Sequence, residues 1–276
     1  MKNEDLFWYW INERHRIYLR KESGEKPPWT DDEILRTYYF TNVFRELDAV
    51  TVWIRENWRE PYAEHPNLWF AMCVARCINE PSTLEALGFP EYWDAESARE
   101  IMLGLQADGK RLYSPAYVIS NCGNTCDKPM FTCTYVLKPI WDAQPVPEDS
   151  DNLQSYHKRL IQFMGMGGFM AYEVVSDLRW TRYFDTADDI LTWANPGPGC
   201  KRGINRLYGW PPKTPISDTQ ALSVMRSLLE KSGDCIESYV PQLEMREVEH
   251  SLCEFDKYMR AYLGEGTPKR RYKGKG

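Results

Sequence analysis

Apolar residues recur at three- and four-residue spacing along most of this chain, and glycines and prolines cut that pattern into short pieces. A 3.6-residue period is what brings such positions onto one face, so the pattern predicts many short helices joined by tight turns. After Pro27-Pro28-Trp29-Thr30, the residues Ile34, Leu35, Tyr38, Tyr39, Val43, Leu47, Val50 and Ile54 predict one amphipathic helix to about Trp58, ahead of Pro61. Thr30 and Glu33 have the spacing of its capping pair. Ser82 with Glu85 opens another helix that Gly88 ends, and Asp94 opens one that Gly109 closes. The second half predicts helices over 153–164, 169–179, 185–193, 200–207, 218–231 and 243–263. Tyr113, Tyr117, Val118, Ile119, Phe131, Tyr135 and Val136 sit in short runs broken by Pro115, Gly123 and Pro129, which leaves room for a small β-hairpin insertion. The predicted organisation is a single helical domain over 1–265 with two lobes. The Pro- and acid-rich connector near 139–151 is their expected boundary, and a basic tail follows over 266–276.

Lys and Arg number 34 against 40 Asp and Glu, a net charge of −6, which argues against binding nucleic acid through overall electrostatics. A local exception is Lys269-Arg270-Arg271-Tyr272-Lys273-Gly274-Lys275, either a basic patch or a solvated tail. No apolar run approaches the roughly 18–20 residues of a membrane span, and the acidic first residues lack a signal-peptide layout. The expectation is a soluble intracellular protein with reduced cysteines. Cys73 and Cys77, four apart, read as helix packing residues. Cys122, Cys126 and Cys133 crowd one loop, but without a nearby histidine their spacing is no standard zinc site, so no metal and no cofactor is expected.

Four segments carry candidate chemistry. Asn195-Pro196-Gly197-Pro198-Gly199-Cys200-Lys201-Arg202-Gly203 is a glycine corner opening a helix. Free N–H groups at a helix start, beside Lys201 and Arg202, suit phosphate and resemble a helix-hairpin-helix grip on a DNA backbone. An ordinary helix turn with surface charges fits equally. The second segment, from Gly165 to Arg179, places Glu173 and Asp177 on one helical face, with Tyr172 suited to stack on a base. A plain surface pair is the alternative. The third, from Glu247 to Lys257, sets His250 one turn from Glu254 as a proton-moving pair, with Lys257 able to neutralise a phosphate leaving group. A His250–Cys253 nucleophile is the weaker option, and a solvated charged helix the bland one. The fourth, Phe40 to Asp48, steps Asn42, Arg45 and Asp48 along one side; Arg45 can fork onto a phosphate or carboxylate, or simply pair with Asp48. No P-loop, dinucleotide fingerprint or H-E-x-x-H occurs.

Arg16-Ile17-Tyr18-Leu19-Arg20-Lys21, Pro28-Trp29-Thr30, the block Phe40 to Asp48, Gly197-Pro198-Gly199 and Cys253-Glu254-Phe255-Asp256-Lys257-Tyr258-Met259-Arg260 together resemble the α-glutamyl/putrescinyl-thymine pyrophosphorylase group. That group includes phage amino acid:DNA transferases and the helical domain of 5-hydroxymethyl-deoxyuridine DNA kinases, and the resemblance runs from about Glu13 to Leu263. The kinases carry a further P-loop domain; its absence from this sequence points to the transferase branch.

The resemblance implies a mainly α, DNA-glycosylase-like helical fold with a helix-hairpin-helix element. It also implies a role in phage thymidine hypermodification, in the cytoplasm of the infected bacterial host. There the pyrophosphate of 5-pyrophosphoryloxymethyl-deoxyuridine in double-stranded DNA is replaced by an amine, an amino acid such as glycine or glutamate or else a polyamine. Base flipping would need a backbone grip, for which Gly197, Gly199, Lys201, Arg202 and Gly203 are the candidates. Asp256 and Asp177 are candidate proton acceptors, Lys257 the candidate catalytic cation, and Arg45 and Arg179 candidate pyrophosphate ligands beside Asn42, Asp48 and Tyr172. The family also implies an aspartate beyond the hairpin glycines, pointing to Asp218, although helix capping explains it as well. A DNA glycosylase and a non-catalytic DNA-binding module are the other readings. All of them expect the glycine corner and the helix of Asp256 to face a common cavity.

Overall fold

The computed structural model describes residues 2–115 and 120–271. In chain order its helices are α1 (Asn3–Glu22), α2 (Glu33–Thr37), α3 (Ala49–Ile54), α4 (Leu68–Ile78), α5 (Pro81–Leu87), α6 (Ala95–Ala107), α7 (Lys128–Met130), α8 (Lys138–Ala143), α9 (Leu153–Leu160), α10 (Gly168–Leu178), α11 (Pro198–Leu207), α12 (Asp218–Cys235) and α13 (Met245–Tyr262). π-Helical turns at Arg55–Arg59 and Phe131–Leu137 extend α3 and join α7 to α8. No strand occurs among the described residues, and no helix among them is long and apolar enough to cross a membrane.

The chain divides into two units, one of Met1–Asp48 with Ile190–Gly276 and one of Ala49–Asp189. The expected boundary region near 139–151 lies inside the second unit.

Several predicted elements take another form. The helix expected from Ile34 to Trp58 stops at Thr37 and resumes at Ala49. Between them the chain leaves the helix up to Phe44 and makes a single 3-10 turn at Arg45–Leu47, and several of its backbone groups find partners elsewhere. The Tyr39 N–H donates to the Arg270 carbonyl, the Thr41 N–H to Glu254 and the Asn42 N–H to Asp48. Asp32, not Thr30, caps α2, accepting from the Ile34 and Leu35 N–H groups. The hairpin is absent where the structure can be described: Phe131, Tyr135 and Val136 lie in the π-helical stretch, while Tyr117, Val118 and Ile119 fall outside the described residues. Residues 185–193 form turns, and their acids serve α9 instead: Asp189 accepts the Leu153 and Gln154 N–H groups at its start. The corner before α11 therefore lacks the first helix of a helix-hairpin-helix. By contrast, Asp94 caps α6 and Gly109 follows it in the left-handed region at φ 73°, as the spacing predicts.

In the second unit every residue of α4 is buried. A helix apolar on all sides belongs in a core. Cys73 and Cys77 pack there as thiols, Cys77 pushed up to about 12 by burial. The one charge in α4, Arg76, meets Asp177 of α10 in a two-pronged contact, Nε and Nη2 each 2.5 Å from a carboxylate oxygen. Arg76 also donates to Asn79 and Thr51, and Arg59 lies 3.7 Å from the same carboxylate. Asp177 is wholly buried, so this is a structural ion network and its oxygens are committed to it. Tyr172 is buried on the same helix, edge-on to His157, rather than offered as a stacking surface. Arg179 donates to the Asp185 carbonyl and lies over the Trp180 ring.

In the first unit, Phe7 of α1 packs edge-on against Phe255 of α13, and Trp10 packs against Phe40. Phe40 is fully buried and also touches Tyr258, so it fixes the extended segment against both helices.

Asp177→Asn should leave two buried guanidiniums without their carboxylate and cost roughly 3–5 kcal/mol in denaturant unfolding. A loss under about 1 kcal/mol would show that this network is not what holds α4 to α10.

Candidate active site

The first unit brings the segment from Phe40 to Asp48 onto one polar face of α13. Arg246, His250, Glu254 and Lys257 follow each other at three- and four-residue steps along that helix, so they share a face. Thr41 joins the two elements. Its hydroxyl lies 2.7 Å from His250 Nε2, and its N–H donates to Glu254 at 3.2 Å. Glu254 also pairs with Lys257 Nζ at 2.6 Å, and that ammonium sits 4.8 Å from the centre of the Phe40 ring. On the other side of the imidazole, Arg45 Nη1 approaches His250 Nδ1 at 3.5 Å. A guanidinium only donates. In the tautomer in which Nδ1 accepts from Arg45, the ring N–H is on Nε2 and faces the Thr41 hydroxyl.

Arg45 pairs with Asp48 at 3.3 Å and Arg246 with Glu46 at 3.5 Å. Arg14 enters from α1, only 4% exposed, and donates to the Phe40 carbonyl and to Asn42 Oδ1. Its Nη1 has no hydrogen-bond partner among the described residues. Burial first, then the charges of Arg45, Arg246 and Lys257, hold the His250 pKa well below its ordinary value. The imidazole is thus held in its neutral form. Burial pushes the Asp48 carboxyl up even though Arg45 opposes the shift, and it lifts Glu247 to about 7. The cluster sets a neutral imidazole among Arg45, Arg246 and Lys257, which face Asp48, Glu46 and Glu254 respectively, with Arg14 alongside; the displacement of those carboxylates by an incoming anion would leave the cations to it.

The other expected site residues are placed as follows. Asn42 braces the loop, donating to the Leu47 carbonyl while accepting from Arg14. Asp256 is buried on the α13 face toward α11, bound to Arg202 at 2.8 Å and Arg206 at 3.3 Å, so it clamps two helices together. Asp218 is exposed and pairs with Lys201 at 2.6 Å, while Ser217 caps α12. Cys253 is pushed up to about 12, first by burial and then by Glu249 and Glu254, so the thiol stays protonated and is a poor nucleophile. Tyr172, Asp177 and Arg179 belong to the second unit. Among the described residues no cluster of His, Cys, Asp and Glu is arranged to hold a metal, and Cys133 is buried beside Met102.

The glycine corner has a packing role. A Cβ on Gly203 would lie 2.1 Å from the Leu252 carbonyl oxygen, and one on Gly199 2.3 Å from Cys253 Sγ. These glycines let α11 lie directly on α13, so the two helices touch where a shared cavity was expected. Only Gly197 has room, with Glu249 Oε1 3.8 Å away from its ideal Cβ position. Arg14 and Arg246 escaped sequence reasoning. The available signal was a charge inside an apolar stripe, Phe7, Trp10, Ile11, Arg14 and Ile17, where an arginine must find buried partners.

A sequence model of the family described as the helical domain of 5-hmdU DNA kinase matches residues 2–267. The chain is 27% identical over 290 residues to a 5-hmdU DNA kinase of Bacillus phage SP10, an alignment covering 95% of this chain and 45% of that protein. The chain therefore spans less than half the length of that relative. No solved structure matches it.

Two outcomes test the site's packing and electrostatics. Gly203→Ala should destabilise by roughly 1–3 kcal/mol through overpacking against a backbone oxygen, while Gly197→Ala should change little. Equal effects of the two would refute the crossing as described. Glu247 titrates at about 7 when folded and at 4.5 otherwise, so its contribution is fully present below pH 4.5 and lost as the pH rises to 7. Glu247→Gln keeps the acceptor oxygen but cannot ionise. Its stability relative to wild type should rise across that window by on the order of 3 kcal/mol, and a constant difference in thermal unfolding would exclude the shift.

Proposed function

The chain belongs to the 5-hmdU DNA kinase helical-domain family, and from that premise we propose that it acts in phage DNA hypermodification as an amine:DNA transferase. Its substrate would be double-stranded DNA carrying 5-pyrophosphoryloxymethyl-deoxyuridine, and its second substrate an amino acid or polyamine. The amine nitrogen bonds to the exocyclic methylene carbon, the carbon–oxygen bond breaks, and its electron pair leaves with pyrophosphate. The amine proton passes to the neutral His250 imidazole and then to solvent. Cytoplasm of the infected bacterial host is the matching location.

The observation that carries this reading is the neutral His250 set among Arg14, Arg45, Arg246 and Lys257. A leaving pyrophosphate needs cations placed before the bond breaks, and an amine nucleophile needs a base that is neutral at working pH. Glu254 and Thr41 hold the imidazole and the ammonium in register, and Asp256 acts at a distance as a positioning residue through α11. On this reading the helical body serves as a glycosylase-like scaffold for an extruded base, with Arg202, 43% exposed at its side chain, as a backbone contact.

The test is incubation with duplex DNA bearing the pyrophosphorylated base and candidate amines, followed by nucleoside mass spectrometry. An amine adduct with released pyrophosphate supports transfer. Abasic sites would identify a glycosylase, and unchanged but bound DNA an accessory module. His250→Gln should lower turnover by about 10²–10⁴-fold with DNA affinity retained. Because its pKa is depressed, the acid limb of the wild-type rate profile should lie below pH 6.5. A limb at or above that value would remove His250 from the role of base.

A further inference from the structure

The basic segment after α13 is not left in solvent over its described part. The Tyr39 N–H donates to the Arg270 carbonyl at 3.0 Å, and Tyr38 and Arg271 form an antiparallel bridge. The side chains repeat the pairing: the Arg270 guanidinium lies 4.0 Å above the Tyr39 ring and that of Arg271 5.4 Å above the Tyr38 ring. Both arginines remain exposed. A guanidinium held over a ring face gives up part of its rotational freedom while its N–H donors stay available to an anion. Lys269, Arg270 and Arg271 set three cationic residues in a row in a chain of net charge −6.

Its position ties it to the candidate active site. Tyr39 is followed by Phe40, whose carbonyl binds Arg14, and then by Thr41, which binds His250. Two extended residues span at most about 7 Å. We infer that Arg270 and Arg271, fixed over Tyr39 and Tyr38, form a phosphate-binding strap that grips the backbone of double-stranded DNA at the edge of the site. This rests on the reading that the substrate is DNA. It adds to the Arg202 contact two arginines of the C-terminal segment, while the corner glycines themselves are taken up by the packing of α11 on α13.

The experiment measures affinity for a duplex oligonucleotide against salt concentration, using the full chain. Replacing both arginines by alanine should weaken binding and lower the slope of log affinity against log salt by about 2, close to one per lost phosphate contact. Replacing both by lysine keeps the charge but loses the stacked fork, so the slope should hold while affinity falls several-fold. An unchanged slope in the alanine variant, with wild type still modifying DNA, overturns the strap alone. Lysine binding equal to wild type overturns the fixed-fork geometry. A wild-type protein that neither binds nor modifies duplex DNA defeats the strap and the DNA reading together.

Discussion

The pair of contacts made by Thr41 is what the candidate site depends on. Its hydroxyl meets His250 and its N–H meets Glu254, so one residue outside any helix sets the position of two groups one turn apart on α13. That is feasible only because Phe40 is buried beside it and Arg14 holds the Phe40 carbonyl. A helical backbone at Thr41 would spend its N–H inside the helix and leave Glu254 to Lys257 alone. The break in the helix expected from Ile34 to Trp58 is thus the structural basis of the site.

Buried charge appears in both units and serves different ends. Asp177 lies between Arg76 and Arg59, and its two oxygens are spent on the Arg76 guanidinium. Asp256 is similarly spent on Arg202 and Arg206. His250 is surrounded by cations and Glu247 is governed by burial, and each is pushed toward its neutral form. Neutral groups can exchange protons near working pH; tightly paired ones hold structure. The same residue types sort into the two classes by their neighbours alone.

The helical class and the ends of α6 were legible in the sequence, and the blocks Phe40–Asp48 and Glu247–Lys257 that it singled out lie against each other in the first unit. Of the charged residues in those blocks, Arg45 approaches His250 and pairs with Asp48, and Lys257 pairs with Glu254. Sequence reasoning misread Gly199 and Gly203, because a glycine that permits a ligand's approach and one that permits a helix's approach look alike without the partner. It misread Asp177 for a parallel reason: periodicity puts it on a helical face but cannot say that Arg76 lies across from it, 101 residues away.

Local spacing by itself determined that this chain is helical, where α6 begins and ends, and which short blocks mix charges with apolar positions, since those properties depend on residues within a turn or two of each other. Tertiary structure alone decided which charges pair with which and which side chains are held neutral. The contacts that settle it join Thr41 to residues 209 and 213 positions away, and their strength comes from burial, a property of the packed chain.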